Sequence, residues 1–169
     1  AGGAPIASQD AATVKIEPSG NIICSVGVTD QGQGVDTVMQ QITASVLGVP
    51  DEMVRVIEGD TDATPYGGGS YASRATAIGG EATYQAALAL RAELLVIAGA
   101  LLQANPEQID ILNGNIVDAG TDNIRISLSE LGRIAHFQVA QLPNEIEPQL
   151  SHTKRFRLRD ALYIFTNGI

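Results

Sequence analysis

The 169 residues predict an α+β fold, mixed sheets with helices packed on them, on three observations. Two segments carry apolar residues at helical spacings of three and four. Short Val- and Ile-rich runs, bounded by Gly, Pro, Asn and Ser, lie before, between and after them. Finally, 18 glycines, no Trp and only 4% aromatics demand a core built from Val, Ile, Leu and Ala. With 44% hydrophobic and 17% charged residues, such a chain is one domain or one piece of a larger one.

Residues 1–11 are small and polar and read as extended or loosely ordered. Ala12–Glu17 and Ile22–Thr29, joined by Pro18-Ser19-Gly20-Asn21, predict a hairpin. Val35, Val38, Met39, Ile42, Val46 and Leu47 then mark an amphipathic helix that ends at Gly48. Pro50-Asp51-Glu52 turns the chain into a strand over Met53–Glu58. An irregular stretch from Gly59 to about Gly79 follows, and twenty residues without regular structure are often functional. A second helix runs from Gly80 to about Gln103, with Ala86, Leu90, Leu94, Ile97 and Leu101 on one face. Asn105-Pro106-Glu107 leads to Ile109–Leu112, an Asn113-Gly114-Asn115 hairpin and Ile116–Asp118. Ser127-Leu128-Ser129-Glu130 is a capping box for a short helix reaching about Ala135. Phe156–Phe165 reads as a last strand. The helix–turn–strand order recurs at Pro50-Asp51-Glu52 with Val54-Arg55-Val56 and at Pro106-Glu107-Gln108 with Ile109-Asp110-Ile111. That echo suggests two related α/β lobes, about 12–103 and about 104–169.

The formal charge is −9, unevenly spread. Residues 1–150 hold 18 acids against 6 bases, and residues 151–169 hold 1 acid against 4 bases. A nucleic-acid binder needs a positive face, which the bulk of the chain lacks. Lys154-Arg155-Phe156-Arg157-Leu158-Arg159 alternates charge with apolar residues and reads as an edge or interface strand. The longest strongly apolar run, Leu94–Gln103, is too short for a bilayer, so no membrane is expected. Ala1-Gly2-Gly3-Ala4-Pro5 has no basic n-region and no initiator Met, so no signal peptide is visible and a processed or excised end is expected. One cysteine, Cys24, allows neither a disulfide framework nor iron–sulfur ligation, and a reducing, cytoplasmic setting is expected.

A Gly-x-Ser-x-Gly elbow and a Walker loop are absent, and His136 and His152 lack metal-ligand spacing. Two stretches carry potential chemistry. Gly32-Gln33-Gly34 sits between a strand and a helix start, where free N–H groups attract an anion and Gln33 offers an amide for a heterocycle edge. A glycine-permitted turn explains the same residues. Gly67-Gly68-Gly69-Ser70-Tyr71-Ala72-Ser73-Arg74-Ala75-Thr76 feeds a helix and makes an anion cradle, or a flexible polar loop. Glu58, Asp60 and Asp62 suggest a divalent-metal site, although a capped turn accounts for both aspartates.

Taken jointly, these stretches resemble a known family. The residues are Gly32-Gln33-Gly34, Thr37, Gln41-Ile42 and Leu47-Gly48, then Gly59-Asp60-Thr61-Asp62 and Pro65-Tyr66-Gly67, then Gly69-Ser70-Tyr71-Ala72-Ser73-Arg74, Gly80 and Ala82. Their order and spacing resemble the molybdopterin-binding large subunit of the molybdenum hydroxylases: xanthine dehydrogenase, aldehyde oxidase and aerobic carbon monoxide dehydrogenase. The resemblance implies that Gly32, Gln33 and Gly34 bind molybdopterin. It implies that Ser70, Tyr71, Ala72, Ser73, Arg74, Ala75 and Thr76 wrap the pterin and its phosphates, with Tyr71 and Ala72 nearest the metal. The cofactor implied is molybdopterin, in its cytosine dinucleotide form. The chemistry implied is hydroxylation of an aldehyde, purine or N-heterocycle with water as oxygen source, or CO oxidation, with electrons leaving through iron–sulfur clusters to FAD on partner domains or subunits.

The family's Gly-x-Gly-Glu segment, which carries the catalytic glutamate, has no counterpart here, so no catalytic residue is expected in this chain. The expectation is therefore an internal fragment that supplies one wall of the cofactor site, is inactive alone and self-associates when isolated. Its partners would be the rest of the molybdopterin-binding subunit and the iron–sulfur and flavin subunits or domains. The alternatives are a non-catalytic interaction module that has lost the cofactor, and an unrelated nucleotide- or phosphate-binding domain.

Overall fold

A computed structural model describes residues 9–158 of the protein. β1 (Gln9–Ile16) and β2 (Ile22–Val26) form the expected antiparallel hairpin, with Val14 opposite Cys24. Asp10, Ala12, Val14 and Ile16 are all buried, as alternate residues of a strand with one covered face should be. Every residue of β2 is buried, because a central strand covered on both faces reads as one apolar run. α1 (Val35–Leu47) buries Val35, Met39, Thr43, Ala44 and Leu47 and returns the chain to β3 (Val54–Ile57), which pairs parallel with β2. At Gly48 the backbone is left-handed (φ 68°) and its N–H bonds Ala44 O, closing the helix. A Cβ there would stand 2.1 Å from the Ile111 carbonyl oxygen, so the same glycine lets the next sheet approach.

α2 (Gly80–Leu102), entered through a π-helical turn at Ala75–Gly79, packs against α1, β1 and the final strand. Counted with that turn it is 28 residues, long and apolar enough by length and composition to cross a bilayer. That corrects the shorter Leu94–Gln103 run read from sequence. Ala86, Leu90, Leu94 and Ile97 are fully buried against the sheet, so its apolarity serves the core. β4 (Ile109–Leu112), β5 (Asn115–Asp118) and β6 (Ile124–Ser127) form a separate antiparallel sheet. α3 (Leu128–Phe137) follows directly. Half of its capping box forms: Ser127 Oγ accepts from Glu130 N–H at 3.1 Å, while the Glu130 carboxylate pairs with Arg133. β7 (Ser151–Arg157) then lies beside β1, giving the sheet order β3-β2-β1-β7. The basic stretch is thus an edge strand.

Several boundaries differ from expectation. β1 begins at Gln9, because β7 pairs that far (Gln9 with Arg157) and Asp10 finds a buried partner. β2 ends at Val26, since Gly27 abuts Gly67 there. Helical structure starts at Ala75, before Gly80. β6, short and at most half-buried, is absent from the sequence reading although Ile124-Arg125-Ile126-Ser127 alternates apolar and polar residues. β7 starts at Ser151, before Phe156, and the predicted remainder of that strand beyond residue 158 lies outside the described residues. The helix–turn–strand echo is visible as short 3-10 turns, Asp51–Met53 before β3 and Pro106–Gln108 before β4. β3 joins a parallel pair and β4 opens an antiparallel sheet. One continuous core spans both regions, from Ala12 and Leu90 to Ile116 and Leu131.

Candidate functional site

The β2–α1 loop and the loop that ends at Ser70–Thr76 converge at the entry of α2. Together they line a cleft of about 500 Å³, walled by Gln31, Gln33, Val35, Val38 and the seven residues Ser70–Thr76. The two stretches singled out in the sequence, some forty residues apart, are therefore neighbours. Gly32 and Gly34, also predicted to bind the cofactor, do not line the cleft; they turn the first loop, with left-handed φ of 99° and 77° and open space where a Cβ would stand.

Hydrogen bonds stitch the loops together. The Ser70 hydroxyl accepts from Thr29 N–H (2.9 Å) and donates to Thr29 O (2.5 Å). Gln31 Nε2 donates to Ser70 O at 3.2 Å. Gln33 folds onto its own loop: Oε1 accepts from Gln31 N–H at 2.6 Å, and Nε2 makes a long 3.4 Å bond to Thr29 O. Ser73 and Thr76 are exposed at the cleft, whereas Arg74 is 2% exposed. The Arg74 guanidinium bonds Asp10, Gly69 O and Gln9 O and lies over the Tyr71 ring.

Two features mark the second loop as built rather than floppy. Ala72 and Ser73 both hold left-handed φ (51° and 56°), a strain of about 1–2 kcal/mol per residue. The helix start at Ala75 has no capping side chain, and π-turns of this kind often occur at functional sites.

Asp30 escaped the sequence reading, although an Asp two residues before a Gly is an Asx-turn signal. Its carboxylate accepts from Gly32 N–H (2.5 Å) and Gly34 N–H (3.3 Å). The Gly32 bond, first among several, holds the Asp30 carboxyl below its ordinary value. Because the folded-state value is depressed, this stabilisation is present above the ordinary carboxylate range and is lost as pH falls through the native value. The Gly32 amide is expected to exchange faster with solvent as pH drops through that window, once the intrinsic pH dependence of exchange is removed, and the step should vanish in Asp30→Asn. An unchanged step in the variant would assign it to another group.

Glu58 Oε1 accepts from Asp30 N–H, and Asp60 Oδ1 caps its own turn through Asp62 N–H at 2.9 Å. Glu58 and Asp60 thus serve loop structure, and no cluster of three potential metal ligands occurs among the described residues. Burial pushes the Cys24 thiol up from its ordinary value, which leaves it unreactive.

The donor set decides what fits the cleft. No carboxylate lines it, although the chain carries a net charge of −9. It presents amides, hydroxyls and main-chain N–H groups, and the Tyr71 hydroxyl is buried without a partner. An orphaned buried hydroxyl costs about 1–3 kcal/mol. These donors suit an anionic, heterocyclic group.

A family model described as "Molybdopterin cofactor-binding domain" matches residues 2–167. The chain is 32% identical over 166 residues to the nicotine 6-hydroxylase large subunit of Paenarthrobacter nicotinovorans, covering 98% of this chain and 20% of that subunit. It is 35% identical over 141 residues to the carbon monoxide dehydrogenase large chain of Hydrogenophaga pseudoflava, covering 83% of this chain and 17% of that one. Among solved structures, quinoline 2-oxidoreductase from Pseudomonas putida 86 matches with a TM-score of 0.82 and 36% identity over 90% of this chain and 19% of its own. The chain thus spans about a fifth of the length of these relatives.

Proposed function

Because the chain belongs to the molybdopterin cofactor-binding domain family, we propose that its cleft is one wall of the molybdopterin site in a molybdenum hydroxylase. The observation that carries this reading is the convergence of Gln31, Gln33 and Ser70–Thr76 on one acid-free cleft. Gln33 would bind the pterin, since its long bond to Thr29 O is cheap to exchange. Main-chain N–H groups at the start of the Ala75 turn and the Ser73 and Thr76 hydroxyls would hold the phosphates. Tyr71 and Ala72 would lie nearest the metal.

When bound, the cofactor supplies hydroxylation of an aldehyde, purine or N-heterocycle with oxygen from water, or oxidation of CO. This chain's share is binding and orientation, while the catalytic glutamate is assigned to another part of the subunit, so the chain alone is inactive. The cytosine dinucleotide form of the cofactor and the iron–sulfur and FAD partners are carried by the family resemblance, and a cytoplasmic setting by the single cysteine. An exposed row on α2, with Tyr84, Leu88 and Val96, supports contact with the rest of the subunit and self-association in isolation.

Gln33→Ala in the whole enzyme is expected to lower molybdenum and pterin content about tenfold while leaving the melting temperature of the cofactor-free protein unchanged. Hydrolysis of the released cofactor should yield the cytosine nucleotide. A wild-type enzyme that purifies without pterin would replace this reading with a non-catalytic interaction module.

A further inference from the structure

Arg74 and Asp10 are a charged pair withdrawn from solvent, with side chains 2% and 0% exposed and Nη1 2.8 Å from Oδ2. The same guanidinium donates to Gly69 O at 2.6 Å and to Gln9 O, and its Cζ lies 5.3 Å from the Tyr71 ring centre. Asp10 accepts from Ala11 N–H through Oδ1 (2.9 Å) and from Gly68 N–H through Oδ2 (3.3 Å). The pair therefore ties β1 to both ends of the segment Gly68–Arg74. Apolar packing often does as well as a buried ion pair, so the retained charge points to geometry. Between the tied ends lie Ala72 and Ser73, whose left-handed φ persists only where the surroundings over-determine it.

We propose that the Asp10–Arg74 pair is a positioning device that holds Tyr71–Ser73 in the shape the cleft needs to receive and retain its cofactor, without the guanidinium itself contacting that cofactor. This rests on reading the cleft as a cofactor wall. The pair would act through the loop, as a supporting shell acts on the groups that touch a ligand.

The test uses the whole enzyme with Arg74→Lys. Lysine keeps the charge but cannot reach Asp10, Gln9 and Gly69 together as a planar fork does. Molybdenum and pterin content, the rate of cofactor loss on dialysis, and amide exchange of the peptide spanning 66–74 in cofactor-free protein are measured. Exchange should quicken and cofactor loss should accelerate about tenfold, well below the unfolding temperature. Ile134→Ala, a core trim in α3 away from the cleft, should lower the melting temperature and keep wild-type content.

Wild-type retention in Arg74→Lys, or equal cofactor loss in Ile134→Ala, overturns the proposal. If Arg74→Lys fails to fold, Asp10→Glu, which keeps both charges and shifts the carboxylate by one methylene, is judged by the same readouts. Failure of both to fold makes the pair a requirement of the fold alone and also overturns the positioning role. If Gln33→Ala sheds cofactor while Arg74→Lys keeps it, only the positioning proposal falls. A wild-type enzyme without pterin removes the cofactor reading itself.

Discussion

Gly67→Ala is expected to lower the melting temperature by about 2–12 °C and to detach the second cleft loop from the sheet. A Cβ on Gly67 would stand 2.2 Å from Gly27 Cα and 2.4 Å from Gly27 O, and one on Gly27 would stand 2.3 Å from Gly67 Cα. Both neighbours are backbone, so no flexible side chain can give way. Overpacking of this kind costs about 1–3 kcal/mol, and each kcal/mol is worth about 2–4 °C in a domain of this size. The comparison is Gly32→Ala, which meets nothing within 4 Å and carries the strain of φ 99° alone. Scanning calorimetry reads the loss in each, and amide exchange of the peptide spanning 66–74 should quicken in Gly67→Ala and stay at its wild-type rate in Gly32→Ala. Wild-type exchange in Gly67→Ala would mean that the Gly27–Gly67 contact does not hold the loop.

Arg74→Met should cost about 3–5 kcal/mol, because it leaves the Asp10 carboxylate buried without its counter-charge. Removing the pair together, as Asp10→Leu with Arg74→Met, should recover most of that loss, since apolar side chains need no desolvation. Urea unfolding of the two single variants and the double variant gives the coupling directly. A loss below about 1 kcal/mol in Arg74→Met would place the pair among solvated surface ion pairs and contradict its burial. This cycle reads stability, whereas Arg74→Lys reads loop shape.

Much of the architecture is written locally. Val35, Met39 and Leu47 recur at helical spacing, and the helix they predict stops where Gly48 allows a left-handed turn. Pro18-Ser19-Gly20-Asn21 and Asn113-Gly114 announce two hairpins, and both form. β6 was missed because the alternation of Ile124-Arg125-Ile126-Ser127 covers only four residues and runs directly into α3. Ser151–Thr153, ahead of the stretch read as an edge strand from Lys154, were illegible because pairing with β1, rather than their own polar sequence, makes them a strand.

The two loop motifs were legible as motifs, and their joint resemblance identified the family before any geometry was available. Their own residues determined that a glycine-bounded amide would precede one helix and a hydroxyl-rich loop another. Tertiary structure decided that the two share one cleft, that Ser70 spends its hydroxyl on Thr29, and that Arg74 faces Asp10. The physical reason is separation: helix periods and turn residues act over a few positions. The partner of a buried charge 64 residues away is set only when the sheet and α2 close over both.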